Sequence, residues 1–230
     1  MKTFLQPKSL CLVLFVLALG SCKNSSEPAS QPDLIPFQTG NRWAYLTTQT
    51  DGNGNTEPFG ADSSTLGLSV RMANNDWYFY SIPGDNNPLV NLSLYRTTSS
   101  GCWAFNQGSN SGGLVFPYPA VAGSAYDVFL DSSMMSSGGP IIKVVGKVVS
   151  LGESVTSPAG TFSCLHYQLS GILITNDGRR VPQEPTEYYI SPGVGIVKSI
   201  EQVGTTTDSV GNVIPSWNHR DRVLTSYTIN

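Results

Sequence analysis

Charged residues are scarce in this sequence. They make up 13% of its 230 residues, where soluble proteins usually carry about 25%. Ser, Thr, Asn and Gly supply the polarity instead, and this composition is typical of strands and turns because Asn and Gly disfavour helix interiors. Lysine and arginine total only 13, with Arg179 and Arg180 as the one adjacent pair. Binding to nucleic acid through counterion release is therefore not expected.

Histidine is nearly absent. The two histidines, His166 and His219, stand far apart, and the sequence has no Cys-x-x-Cys and no His-x-x-x-His spacing. A zinc site needs three or four nitrogen or sulfur ligands that converge on the ion. We therefore predict no metal and no other cofactor.

Long apolar runs are missing except at the amino terminus. Residues Leu10 to Leu19 are all apolar, and Lys2 and Lys8 flank this run on its amino-terminal side. Ten helical residues cover only about half of a ~30 Å hydrocarbon core. The segment is therefore predicted to be an export signal and not a permanent membrane span.

The four residues that follow, Leu19-Gly20-Ser21-Cys22, resemble the lipobox of bacterial lipoproteins. The resemblance implies that Cys22 is acylated and becomes the first residue, and several acyl chains make such an anchor effectively permanent. The alternative is an ordinary signal peptide followed by a chance cysteine. Such a peptide would have small residues at positions 19 and 21, and Leu19 does not fit that pattern. Lys23, where inner-membrane lipoproteins carry Asp, favours the outer membrane, with the domain facing either the periplasm or the cell surface.

The chain is predicted to have three parts. Residues 1–21 are the signal peptide, residues 22–36 are a flexible tether with three prolines and little apolar content, and residues 37–230 are one β-rich domain. Without its signal the chain keeps eleven basic and sixteen acidic side chains, a net charge of −5. A domain of this size can bury a hydrophobic core large enough to fold without disulfides or bound metals.

Apolar side chains alternate with period 2 through this domain, and the helical period of 3.6 does not recur. Trp43, Tyr45 and Thr47 share one face of the first strand, which ends at the turn Asp51-Gly52-Asn53-Gly54. Roughly a dozen short strands separated by turns predict an all-β fold, a single antiparallel domain that is either a sandwich or an open half-barrel. The further strand candidates are Leu66–Met72, Trp77–Ile82, Leu89–Thr97, Cys102–Phe105, Gly113–Tyr118, Tyr126–Leu130, Ile141–Val149, Phe162–Leu169, Ile172–Thr175, Glu187–Ile190, Ile196–Val203 and Arg222–Ile229.

Three segments carry a family resemblance. They are Thr39-Gly-Asn-Arg-Trp-Ala-Tyr45, Ser157-Pro-Ala-Gly-Thr-Phe-Ser-Cys164 and Tyr188-Tyr-Ile-Ser-Pro-Gly-Val-Gly-Ile-Val-Lys198. In this order they resemble uncharacterised exported lipoproteins of Gram-negative bacteria, and some of those look like the open β half-barrels of lipoprotein carriers. The motifs consist of turn and strand features, so the resemblance implies a fold and adds no chemistry.

Two cysteines remain after processing, since Cys11 leaves with the signal and Cys22 is acylated. Cys102 and Cys164 could form a disulfide in an oxidising compartment. Such a bond would close a loop of 63 residues and contribute roughly 4 kcal/mol in the chain-entropy model. The alternative is two separate buried thiols that act as small hydrophobes.

Aromatic residues are the main lead to a binding surface. The run Trp77-Tyr78-Phe79-Tyr80 places rings on both faces of one strand, and one of these faces must belong to the core. Trp77 and Phe79, together with Tyr118 and Trp217, could line a cleft for a lipid or a sugar. Neighbouring strands could equally cover them.

No catalytic motif is complete. The segment Gly108–Gly112 carries Asn110 where the nucleophile of a Gly-x-Ser-x-Gly motif belongs. A serine triad assembled around His166 or His219 is still an alternative, and so is a glycosidase pair of Glu184 and Glu187. We therefore expect a lipid-anchored, non-catalytic envelope domain that binds a hydrophobic, glycan or protein ligand or serves in assembly. The alternatives are an envelope hydrolase or glycan-processing enzyme, and a surface glycan-binding or adhesive module.

Overall fold

Strands alone build the part of the chain that the structure describes. The computed structural model describes residues 31–72, 74–80, 94–106, 111–131, 141–175, 177–202, 206–207, 213–214 and 219–230. Within these ranges there is no helix long and apolar enough to cross a membrane. The strands are β1 Arg42–Thr50, β2 Thr56–Thr65, β3 Ser69–Met72, β4 Asn75–Phe79, β5 Leu94–Thr98, β6 Gly101–Asn106, β7 Ser111–Pro117, β8 Ala125–Asp131, β9 Ile141–Ser157, β10 Gly160–Ile174, β11 Arg180–Pro182, β12 Thr186–Ser191, β13 Gly195–Gln202, β14 Thr206–Thr207, β15 Val213–Ile214 and β16 His219–Thr228.

Two large antiparallel sheets carry most of these strands, which confirms the predicted all-β class. The nine-stranded sheet has the order β2-β1-β16-β13-β12-β10-β9-β8, with β11 added beside β10. The five-stranded sheet follows chain order from β3 to β7, and β14 pairs with β15 apart from both. Neither large sheet closes into a barrel, because its first and last strands are not paired with each other in the described residues.

The core lies between the two large sheets, as in a sandwich. Phe116 of β7 packs against Tyr167 and Tyr188 of the nine-stranded sheet, with ring centroids 5.2 Å apart in both pairs. The Tyr167 hydroxyl donates to the Pro117 carbonyl at 2.7 Å. Large aromatic rings contribute most of the buried apolar area in such a core, and a hydroxyl that reaches a backbone acceptor avoids the cost of burial without a partner.

The alternation predicted for β1 is confirmed. Trp43, Tyr45 and Thr47 are buried, whereas Arg42 and Leu46 on the other face are exposed. The Trp43 indole N–H donates to the Val194 carbonyl at 2.6 Å. One face of this strand therefore belongs to the core along most of its length.

The predicted turn after β1 is also present and joins it to β2 as a hairpin. Asp51 Oδ1 accepts hydrogen bonds from the backbone N–H groups of Asn53 and Asn55 at 2.8 and 2.9 Å. Hydrogen bonds from the Asn55 side chain and backbone lower the pKa of Asp51. An Asx turn of this kind stabilises the hairpin.

β2 itself was not predicted. It is an exposed edge strand, and its residues lack the buried–exposed alternation that marks a strand in sequence. Thr47 pairs with Gly60 and Thr48 with Pro58, so Phe59 is the extra residue of a β-bulge. Proline and bulges are tolerated at sheet edges, where no further strand needs the backbone donors.

The end of the predicted tether packs against the domain. Leu34 and Ile35, assigned by sequence to the end of the tether, are fully buried in the core. The Asp33 carbonyl accepts a hydrogen bond from the Gly193 N–H at 2.7 Å, and the Ile35 carbonyl accepts one from Thr97 Oγ1 at 2.7 Å. Two apolar side chains therefore fix the end of the predicted tether against the core, despite the proline-rich composition around them.

β9 and β10 form one long hairpin around the predicted turn Ser157–Gly160. The sequence predicted a strand only to Val149, but β9 continues to Ser157, and one continuous β10 replaces two predicted strands. The added residues of β9 are mostly polar and exposed. They belong to the sheet through backbone pairing with β10, which apolar periodicity does not reveal.

Candidate functional site

The structure describes three of the four aromatic residues singled out by sequence, Trp77, Phe79 and Tyr118. Trp77 is buried because the Phe105 ring lies 5.5 Å away and the Arg96 guanidinium lies 4.7 Å over its ring. Phe79 is 44% exposed, and Tyr118 is half-buried against the core. Trp77 is thus covered by its own sheet, which is the second of the two alternatives considered for it.

Cys102 and Cys164 are free thiols, and the structure has no bridge between them. Cys102 lies on β6 of the five-stranded sheet and Cys164 on β10 of the nine-stranded sheet, each packed into the core. Burial, together with the nearby Glu153 charge, raises the pKa of Cys164 to about 12. Burial also raises the pKa of Cys102. Of the two alternatives predicted, the structure has the pair of separate buried thiols.

A dense set of titratable side chains surrounds His166 on β10, on the face of the nine-stranded sheet that points away from Tyr167 and Tyr188. His166 Nδ1 lies 3.3 Å from Glu153 Oε2, and its Nε2 lies 3.2 Å from Glu187 Oε2. The Tyr189 hydroxyl donates to the same Glu187 oxygen at 3.2 Å. Ser150 Oγ donates to Glu153 Oε2 at 2.8 Å. These five residues are called the His166 cluster below.

Strand register assembles this cluster. His166 pairs with Tyr189 on one side and with Ser150 on the other, so three adjacent strands contribute to it. Cys164 pairs with Glu153, which leaves one extra residue on β9 between the two pairs. Gly152 adopts φ 75° within this bulge, a conformation that a glycine reaches without strain. Bulges redirect side chains, and this one brings Glu153 to the imidazole.

The Tyr189 ring contacts side chains from both neighbouring strands. The His166 ring stacks on it at 4.2 Å with an interplanar angle of 18°, and Lys198 Nζ lies 5.9 Å from its centroid. Tyr189 pairs with His166 on one neighbouring strand and Lys198 on the other, so three strands meet at this half-buried ring. Burial, reinforced by the Glu187 charge, raises the pKa of Tyr189 to about 12.

The His166 cluster does not have the geometry of a serine triad. In such a triad one histidine nitrogen faces the nucleophile and the other faces the acid. Here both nitrogens face carboxylate oxygens, and the Ser150 hydroxyl is directed at Glu153. Because Glu153 and Glu187 contact the two nitrogens of one imidazole, the arrangement links β9, β10 and β12.

The same geometry does not suit a metal ion. Metal ligands must converge on one point, but Glu153 and Glu187 lie at opposite edges of the His166 ring. Among the residues that the structure describes, no group of three His, Cys, Asp or Glu side chains could hold a metal ion.

The two glutamates considered for glycoside hydrolysis have different surroundings. Glu184 is exposed in the loop before β12, whereas Glu187 is engaged by His166 and Tyr189. His219 starts β16 and is half-buried. Trp217 and Asn110, also weighed in the sequence, lie outside the described residues.

A second charged group is buried on the opposite, inner face of the nine-stranded sheet. Arg222, 5% exposed, contacts Asp62 Oδ1 through Nη2 at 2.6 Å and lies 4.2 Å over the Tyr45 ring. The hydroxyls of Tyr45 and Tyr80 share a hydrogen bond of 3.2 Å. Burial raises the pKa of Tyr45 well above its usual value. The sequence does not predict this group, because its members are far apart in the chain and none of them belongs to a recognisable motif.

Comparison with known proteins adds names but no established function. No family model matches the chain, and no curated protein matches it. Among solved structures, a "putative lipoprotein" of Parabacteroides distasonis is 13% identical with a TM-score of 0.42, and the match covers 86% of this chain and 99% of that one. A "putative exported protein with YmcC-like fold" of Bacteroides fragilis is 12% identical with a TM-score of 0.39, covering 86% and 100%.

A third match is an outer membrane lipoprotein-sorting protein domain from Vibrio parahaemolyticus, named as putative. It is 6% identical with a TM-score of 0.19, and the match covers 85% of this chain and 87% of that one. All three names refer to lipoproteins or exported proteins. With identities this low and TM-scores below 0.5, none of these proteins determines the fold or the activity of this chain.

Proposed function

We propose that this chain is a lipid-anchored domain of the bacterial cell envelope that acts by binding or assembly and not by catalysis. The anchor is supported by the lipobox that ends at Cys22, with acyl chains as the membrane partner and the outer membrane as the expected location. The ligand class stays open between a hydrophobic molecule, a glycan and a protein.

The His166 cluster is the observation that carries the non-catalytic part of this proposal. A general base needs a lone pair directed at the proton it removes. The two nitrogens of His166 instead face Glu153 and Glu187, and Ser150 donates a hydrogen bond to Glu153. These polar groups contact one another and so have a structural role. In a hydrolase the corresponding groups would be directed at the substrate.

Metabolic labelling with palmitate tests the anchor. The native chain should incorporate label and fractionate with membranes, and Cys22→Ala should abolish both. Cys11→Ala is the matched control, because Cys11 lies in the predicted signal and should not affect labelling. Equal labelling of native chain and Cys22→Ala would overturn the anchor.

An esterase and glycosidase panel tests the absence of catalysis. We expect the purified chain to show no turnover beyond that of a chain with both His166→Gln and Glu187→Gln. Turnover that disappears in the double variant while circular dichroism stays unchanged would establish the hydrolase alternative instead.

A further inference from the structure

Four of the exposed apolar side chains lie at the end of the nine-stranded sheet where the chain enters the domain. The entry point is Asp33, whose carbonyl accepts a hydrogen bond from Gly193 in the turn between β12 and β13. Four large apolar residues around this point are strongly exposed, and we call them the entry rim. They are Leu68 at 81%, Val121 at 69%, Leu151 at 48% and Tyr227 at 40%.

Hydrogen bonds and strand pairing place Leu68 and Tyr227 next to residues 33–41, which we call the entry segment. Asn41 Nδ2 donates to the Pro36 carbonyl at 2.7 Å, and Tyr227 pairs with Trp43 just beyond it. Thr39 Oγ1 donates to the Gly67 carbonyl at 3.0 Å, which places the adjoining Leu68 beside the same segment.

Strand register brings the rest of the rim to the same region. Leu165 pairs with Ile190, immediately before the turn that holds Asp33. Leu151 lies opposite Leu165 in the β9 bulge, one strand further across the sheet. Val121 belongs to the turn in which Gly123 donates to the Val148 carbonyl at 2.8 Å, three residues before Leu151.

The opposite end of the nine-stranded sheet is polar. β1 runs nine residues from Arg42 to Thr50, a length of about 30 Å at ~3.3 Å per residue. The hairpin turn beyond it contains Asp51 and Asn53, and the turn between β10 and β11 contains Asp177 and Arg179. These two far-end turns are therefore charged, whereas the entry rim is apolar.

The tether limits how far the entry point can lie from the anchor. Ten residues, Lys23 to Pro32, separate Cys22 from Asp33, and their full extension is at most about 35 Å. An anchored domain has a high effective concentration at its own membrane, so a contact too weak to recruit a free domain is enough to orient a tethered one. Tyrosine in particular favours the boundary between lipid and water.

We propose that the entry rim rests on the surface of the bilayer that holds Cys22. This inference depends on the proposed anchor. The domain then stands with the entry segment toward the lipid, and its Asp51 and Asp177 turns point away into the compartment.

Position-dependent quenching tests this orientation in the full lipidated chain. A fluorophore is attached to Leu151→Cys, Tyr227→Cys or Asn53→Cys, and the chain is reconstituted into phosphatidylethanolamine and phosphatidylglycerol vesicles that contain a nitroxide lipid. Cys102 and Cys164 are buried, so labelling under native conditions is confined to the introduced thiol. Emission at positions 151 and 227 should be lost, and emission at position 53 should be retained.

Rim variants complete the test. Leu68→Ser combined with Leu151→Ser should restore emission at position 227, whereas Leu46→Ser, an exposed site in the middle of β1, should not. Equal quenching at positions 53 and 151, or none at either, in chains that float with the vesicles overturns the rim contact and leaves the anchor standing. A chain that does not float with the vesicles overturns the anchor and the rim contact together.

Discussion

Arg222 and Asp62, 160 positions apart, form an ion pair of 2.6 Å across β1. Their strands β16 and β2 lie on either side of β1, so the guanidinium passes over the Tyr45 ring to reach the carboxylate. A buried arginine is costly without a partner, because its charge has left water. The pair therefore ties the edge strand β2 to the centre of the sheet.

Removing one partner of this pair should destabilise the domain. Asp62→Ala leaves the Arg222 charge buried and should lower the free energy of unfolding by about 3–5 kcal/mol, measured by urea denaturation. The double variant Asp62→Ala with Arg222→Met removes both charges and should recover part of this loss. A single variant as stable as the native chain would show that the ion pair does not hold β2.

The His166 cluster should contribute to stability through its links between strands. His166→Ala removes the ring that both Glu153 and Glu187 contact, and we expect a loss of about 1–2 kcal/mol in the free energy of unfolding. His219→Ala is the control, since that residue is half-buried at the start of β16 and such a change should stay within about 0.5 kcal/mol. Equal losses in the two variants would argue against a specific role for the cluster.

Alkaline pH should weaken the fold through Tyr189. Its pKa is raised to about 12, whereas the unfolded chain releases this proton near the ordinary value of about 10. The contribution is therefore fully present below about pH 10 and is lost as pH rises through about 12. Unfolding free energies should fall more steeply above pH 10 for the native chain than for Tyr189→Phe. Tyr227→Phe, at an exposed ring, should follow the native curve.

The two core cysteines should behave as protected thiols. Because burial raises the pKa of Cys164 to about 12 and also raises that of Cys102, iodoacetamide should modify both only after denaturation. Mobility on a denaturing gel should be the same with and without reductant. A faster band without reductant, lost in Cys102→Ser, would establish the disulfide instead.

Much of the architecture follows from local sequence patterns. The alternation of Trp43, Tyr45 and Thr47 predicts both the first strand and its buried face, since period 2 is imposed by the backbone itself. The turns at Asp51 and at Ser157–Gly160 follow from the side-chain and backbone preferences of their own residues. The signal and the lipobox are likewise contiguous segments, so the predicted address of the protein rests on sequence alone.

Only the tertiary structure decided which residues that are distant in sequence lie close together. β2 was missed because an edge strand needs no apolar alternation, and Leu34 and Ile35 were assigned to the tether because their burial depends on partners far along the chain. Glu153 meets His166 through a bulge, and Arg222 meets Asp62 across an intervening strand. Such contacts depend on register, which is set by the packing of whole sheets and leaves no mark on short stretches of sequence.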